Sequence, residues 1–167
     1  MSQHFSMRFT ARLLAISTLL LSFSALATEQ VTIAETIPYA SDDVGTAEIR
    51  TQCDWNKRLS AEIVRQSHKN VISTKLALNS VTGPTLQIKI VNVHAAGGGN
   101  FSGPKWALLR GELLGAGGEV RSFELRRATT GPMQFTACAA LNKIAKALGS
   151  DVAVWLKKQN GEVSVAK

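Results

Sequence analysis

Two alternating segments, Lys105 to Leu114 and Val120 to Arg127, joined by Gly115-Ala116-Gly117-Gly118, constrain this chain more than any other feature. Strand side chains alternate between faces, and a glycine-rich connection tolerates the positive φ angles of a tight reversal, so the pattern predicts a β-hairpin. Leu109, Gly111 and Leu113 share one face of the first strand, and Phe123 and Leu125 share one face of the second. A register that buries one face must bring these five residues together. The opposite face then carries Trp106, Leu108, Arg110, Glu112, Val120, Ser122, Glu124 and Arg126. It is amphipathic rather than cleanly polar.

The remaining elements follow from the same periodicities. Val31-Thr32-Ile33-Ala34 alternates briefly before Pro38 and Ser41-Asp42-Asp43 interrupt it, which predicts an edge strand followed by a loop. Thr51-Gln52-Cys53-Asp54 has the form of a capping box, and Trp55, Leu59 and Ile63 follow at steps of four. A helix from about Gln52 to Ser67 is expected, with Asn70 as the left-handed residue beyond it. Val71 to Leu78 and the stretch containing Leu86, Ile88 and Ile90 read as strands around a Thr82-Gly83-Pro84 turn. The alternation slips at Ile90-Val91, predicting a bulge. Ala95 to Asn100 and Gly103-Pro104 read as a flexible loop. After Gly131-Pro132, residues Phe135, Cys138, Leu141, Ala145, Leu148, Val152 and Trp155 recur at helical steps, with Gly161 able to end the helix. Gly149 in its middle marks a possible bend, although Asp151 and the renewed pattern argue for continuation. The order β-α-β-β-β-β-α predicts an α+β two-layer sandwich: a mainly antiparallel sheet of four to five strands with two helices on the face of Leu109, Leu113, Phe123 and Leu125.

The first 27 residues read as an address. Arg8 and Arg12 precede the apolar stretch Leu13-Leu14-Ala15-Ile16 and Leu19-Leu20-Leu21, and Ala25-Leu26-Ala27 is a small-residue cleavage site. This is the pattern of a secretory signal peptide, too short in its apolar part for a stable membrane span. A mature chain from Thr28, periplasmic or secreted, is expected, as a single domain over residues 28–167. No cysteine directly follows the apolar stretch, so no lipoprotein attachment site is read. With 45% hydrophobic and 19% charged residues, the chain has the composition of a globular domain rather than a disordered one. Without Arg8 and Arg12, 17 of the 19 basic residues remain against 12 acidic ones. That balance admits a weak, salt-sensitive contact with a polyanion, and no specific nucleic-acid binding is expected.

The hairpin from Gly103-Pro104-Lys105 to Arg127 resembles, together with the run from Cys138-Ala139-Ala140-Leu141 through Ala147-Leu148-Gly149-Ser150-Asp151-Val152 to Trp155-Leu156, a loose group of small uncharacterised exported proteins and lipoproteins of Gram-negative bacteria. Their architecture is similar to the N-terminal domain of TolB and to the curli-secretion lipoprotein. The resemblance implies a cell-envelope component without known catalysis.

Catalytic motifs are incomplete. Gly97-Gly98-Gly99-Asn100-Phe101-Ser102-Gly103 lacks the Lys-Ser/Thr of a P-loop, does not fit G-x-G-x-x-G, and leads into a strand rather than a helix N-terminus. Ser102 lacks the frame of a nucleophile elbow. His68 and His94, at a helix end and a strand end, do not combine with Cys53 or Cys138 into a thiolate pair or a zinc site. Glu112 and Glu124 could face each other across the hairpin, but Arg110, Arg121 and Arg126 beside them favour cross-strand ion pairs. No cofactor or metal site is read. Two function classes remain. One is a noncatalytic envelope binding or assembly module using the sheet face of Trp106, Leu108, Arg110 and Arg126, whose partner is an envelope protein or a second copy. The other is an exported hydrolase whose site the sequence does not connect. In either case the segment Thr28 to Arg50 could cover that face within the chain.

Two cysteines in an exported chain are expected to join, because the oxidising compartment makes the disulfide the default state. The Cys53–Cys138 loop spans 85 residues, for which chain entropy predicts a stabilisation of about 4.5 kcal/mol at most. Thiol labelling of the unfolded, unreduced protein should therefore find neither cysteine reactive. Stoichiometric labelling at both positions would overturn the pairing.

Overall fold

Val31, Thr32 and Ile33 of the strand Val31–Ala34 (β1) are all buried, and that places β1 inside the sheet. The computed structural model describes residues 29–95, 103–129 and 136–163. The proposed signal peptide, the glycine-rich stretch at 96–102, and Gly131, Pro132 and Phe135 lie outside the described residues. The elements continue with helices Ala47–Gln52 (α1) and Trp55–Gln66 (α2) and strands Val71–Thr74 (β2), Thr85–His94 (β3), Lys105–Leu114 (β4) and Val120–Thr129 (β5). Helix Ala137–Val163 (α3) closes the order. The five strands form one open sheet in the order β2-β1-β3-β4-β5, and the fold is α+β.

The expected edge position of β1 is corrected. β1 pairs in parallel with β2 on one side and β3 on the other, so the sheet is mixed: parallel at β2-β1-β3 and antiparallel at β3-β4-β5. Pro38 does not disturb the strand because it follows it. Its carbonyl accepts from the Ile90 N–H at 2.9 Å, and the Ala40 N–H donates to the Ile90 carbonyl at 2.9 Å, so residues 38–40 extend the line of β1 beside β3.

Parallel pairing also dictates the route from β2 to β3. A ten-residue return from the end of one to the start of the other must pass over β1. The 3-10 turn Leu78–Ser80 sits in that return and contacts β1. The strand expected to reach Leu78 therefore stops at Thr74, whose Oγ1 accepts from the Leu76 N–H at 3.1 Å as the chain turns. Thr32 and Thr85, neighbours in register, are both buried.

Two further expectations shift by a few residues. Thr51 does not cap α2; it lies in the last turn of α1, its hydroxyl donating to the Ala47 carbonyl at 2.9 Å. The true cap is Thr46, whose Oγ1 accepts from the Ile49 N–H at 3.3 Å, and extended backbone at Cys53 separates α1 from α2. The left-handed residues after α2 are His68 (φ 46°) and Lys69 (φ 71°), not Asn70. Asn70 instead joins the sheet edge, its carbonyl accepting from the Val31 N–H at 2.9 Å.

All three helices lie on the face predicted from Leu109, Leu113 and Phe123, and their apolar sides close the core. Trp55, Leu59 and Ile63 of α2 and Leu141, Ile144 and Leu148 of α3 are fully buried against Ile33, Leu86, Ile90 and Leu109. Trp155 of α3 meets Phe123 edge to face at a centroid distance of 4.8 Å, and the Phe123 ring lies over Gly111, where a Cβ would have no room. The Cys53–Cys138 disulfide, with Cα atoms 5.2 Å apart, joins the starts of α2 and α3.

From that joint the two helices run side by side, and at Gly149 they approach closely. A Cβ there would stand 2.9 Å from the Glu62 Cβ and 3.0 Å from the Glu62 carbonyl carbon. Gly149 thus serves close approach of the helices, and α3 continues through it and through Gly161 to Val163. Gly149→Leu should lower the unfolding free energy by about 2–3 kcal/mol in urea titrations, because the helices must separate. The same change at exposed Ser150 should stay within about 0.5 kcal/mol.

Tyr39, the single tyrosine, accepts a hydrogen bond from Trp55 Nε1 at 3.0 Å. Burial raises its pKa above the ordinary 10.0, opposed by the smaller lowering effects of that bond and of Arg50. The folded state therefore favours the neutral phenol. Its contribution to stability is intact below a pH of about 10 and is lost as pH rises from there through the folded-state value. Tyrosinate absorbance should show a midpoint above that of free tyrosine in the folded protein and an ordinary one in denaturant. Equal midpoints would contradict the assigned burial.

Candidate sheet-face site

Strand parity in β3, β4 and β5 turns one set of side chains away from the helices, and the bulge in β3 decides which residues of that strand join it. The register shifts between Ile90 and Asn92. Before it, Ile88 and Ile90 face the helices; after it, Val93 does, and Asn92 and His94 move to the open face. His94 thereby comes opposite Trp106 of β4, which in turn lies opposite Ala128 of β5.

The small Ala128 leaves space beside the indole, and Arg126, one position along the same face, fills it. The Arg126 guanidinium carbon lies 4.6 Å from the centroid of the Trp106 ring, while the His94 ring stacks at 6.0 Å with an interplanar angle of 21°. A cation over an indole contributes about 0.5–1 kcal/mol at a partly exposed site. Three strands thus supply one row, His94–Trp106–Arg126, with half-buried Leu108 directly opposite Arg126.

Arg110 belongs to a second group. Its Nε donates to Glu124 Oε2 at 2.7 Å across the β4–β5 pair, and both side chains are more than half exposed. An ion pair so open to water stabilises little but fixes both side chains against the sheet. Glu112 lies opposite Ser122 on one side and Gln87 on the other, so the two carboxylates do not face one another. At the hairpin end, Leu114 and Val120 pair in register and are exposed by 42% and 64%. A shallow depression of about 260 Å³ lies between β3 and β4, lined in part by Gln87, Lys89, Arg110 and Glu112.

The four residues singled out from the sequence, Trp106, Leu108, Arg110 and Arg126, therefore share one face in two neighbouring groups. His94 completes the first group and was not connected to it by sequence, although the slip at Ile90-Val91 was the signal that reverses its parity. The described part of the segment Thr28 to Arg50 does not cover this face. It enters the sheet as β1, continues beside β3 at residues 38–40, and packs Val44 and Ile49 into the core. Cys53 and Cys138 are joined to each other, and among the described residues no three His, Cys, Asp or Glu side chains converge as a metal-binding group.

The class these features define is an α+β protein with an open mixed sheet, helices on one face and an aromatic–arginine row on the other. No family model matches the sequence, and no curated protein matches it. Among solved structures the chain is similar to the PelC dodecamer of Paraburkholderia phytofirmans, seen in two crystal forms. Identity is 16% over 77% of this chain and 89% of PelC, with a TM-score of 0.47 in both forms. It is also similar to a DUF330 protein of Xanthomonas campestris, at 15% identity over 83% of this chain and 89% of that one, again with a TM-score of 0.47. The likeness to the TolB domain and the curli-secretion lipoprotein rests on the sequence pattern alone.

Proposed function

We propose that the protein is an exported, noncatalytic module of the cell envelope that docks a partner, an envelope protein or a second copy, through the sheet face of Trp106, Leu108, Arg110 and Arg126. The observation that carries this reading is the His94–Trp106–Arg126 row, a large aromatic and an arginine held in place on a face that the helices leave open. Tryptophan and arginine dominate interface hot spots because each brings contact area or hydrogen bonds with little freedom left to lose. Preorganisation by the row lowers the ordering cost of docking. Leu108 supplies apolar surface at its centre, and the Arg110–Glu124 pair and Lys89 supply a polar rim.

Export is supported by the signal-peptide pattern of the first 27 residues and by the Cys53–Cys138 bond, since disulfides persist in oxidising compartments. The hydrolase reading gains no support from the carboxylates, because Glu124 is engaged by Arg110 and Glu112 stands opposite Ser122.

Trp106→Ala tests the reading when compared with Trp55→Ala. Trp55 is fully buried, so its truncation should cost about 3–5 kcal/mol in unfolding free energy. Trp106 is only half-buried, and its truncation should cost less than about 1.5 kcal/mol while weakening association about tenfold or more. Association is read by a photo-crosslinker at Leu108 in the exported protein and by sedimentation of the purified chain. A Trp106→Ala protein as unstable as Trp55→Ala, or one with unchanged crosslinking and sedimentation, would remove the docking role from this face.

A further inference from the structure

On the opposite side of the molecule α1 carries the exposed Glu48, but α2 and the following part of α3 are mainly basic. Over Trp55–Gln66 of α2 and residues 137–159 of α3, the only acids are Glu62 and Asp151. Both are occupied by arginines: Glu62 accepts from Arg65 at 2.5 Å and lies 3.8 Å from Arg58, and Asp151 accepts from Arg127 of β5 at 2.5 Å. The lysines are different. Lys57, Lys143, Lys146, Lys157 and Lys158 are all exposed, and none forms an ion pair among the described residues. On α3, Lys143, Lys146, Ser150, Val154 and Lys157 follow at steps of three and four and make one outward stripe about 20 Å long. Lys57 lies on the neighbouring helix, whose start the disulfide fixes beside that of α3.

We infer that this helical face docks on an anionic lipid surface. The charge pattern favours a surface over a discrete ligand: the free cations are ammonium groups, hydrated point charges without the rigid fork that selects a single phosphate or carboxylate, and they are spread over two helices. Val154, 53% exposed in the middle of the stripe, sets apolar surface among the lysines, the combination that suits the head-group boundary of a bilayer better than a fully hydrated polymer. Among the described residues no helix is long and apolar enough to cross a membrane, so the contact is peripheral, with the helices lying along the surface. Attraction of this kind grows with each basic residue near an anionic leaflet and is screened within a Debye length.

The test is flotation of the purified, disulfide-bonded protein with vesicles of phosphatidylethanolamine, with and without phosphatidylglycerol. The protein should bind only the phosphatidylglycerol vesicles and dissociate as salt rises. Lys143→Gln together with Lys146→Gln, both exposed and folded as judged by circular dichroism and melting temperature, should weaken binding roughly twentyfold. Trp106→Ala, on the other face, should leave vesicle binding unchanged, so this inference and the docking role of the sheet succeed or fail separately. Equal binding to neutral vesicles, absence of binding to anionic ones, or a loss in Trp106→Ala as large as in the lysine variant would overturn it. Lysine-dependent binding to soluble polygalacturonate with none to vesicles would overturn it too, by naming a polymer as the occupant.

Discussion

The contact between α2 and α3 is the constraint on which the rest of the structure depends. Each helix buries an apolar side that alone would be exposed, and the two can share one core only if their backbones approach closely at Gly149. The Cys53–Cys138 bond fixes the other reference point, at the helix starts. Two fixed points set both the spacing and the direction of the pair. With α3 laid across β4 and β5 and α2 near β2, one face of the sheet is closed and the other is left to whatever the loops can reach. Among the described residues, the return from β2 to β3 passes over β1 and leaves the face of β4 and β5 uncovered.

Legibility in the sequence followed the length over which a periodicity runs. The hairpin, ten residues in each strand, was readable in its faces and its pairing because a single-residue slip would turn Leu109, Leu113 and Phe123 outward. Its second strand runs two residues further than expected, to Thr129. The long helix was readable for the same reason, and the bulge near Val91 because it broke an established alternation. β1 was misplaced at the edge because alternation over four residues says which side chains are buried but nothing about which strands stand beside it. The parallel neighbours are a property of chain routing, set by the crossover through α1 and α2 and by the return over β1.

Short elements were hidden by stronger nearby signals. Thr46 caps α1, yet Thr51-x-x-Asp54 stands directly before the apolar steps of α2 and has the more familiar form. What spoils that box is Cys53: its extended backbone, held at the disulfide, starts α2 afresh at Trp55. The sheet-face residues Trp106, Leu108, Arg110 and Arg126 were legible because parity alone collects them. The row they belong to was not, because it needs His94, and His94 reaches the open face only through the shift after Ile90.

The same layering sorts the charges into two kinds of surface. On the sheet, cross-strand neighbours stand within reach of one another, so opposite signs pair, as Arg110 and Glu124 do, and an arginine can settle over a ring. On α2 and residues 137–159 of α3, the acids are each held by arginines, Glu62 by Arg58 and Arg65 and Asp151 by Arg127 of the sheet, which leaves the lysines there facing outward without partners among the described residues. Specific docking needs fixed, complementary groups of both signs, whereas attraction to a charged surface needs only net charge and reach. The sheet face meets the first requirement and the helical face the second. Because the faces are opposite sides of one two-layer body, a molecule resting on its helices presents the Trp106 row away from that surface, where a partner can reach it.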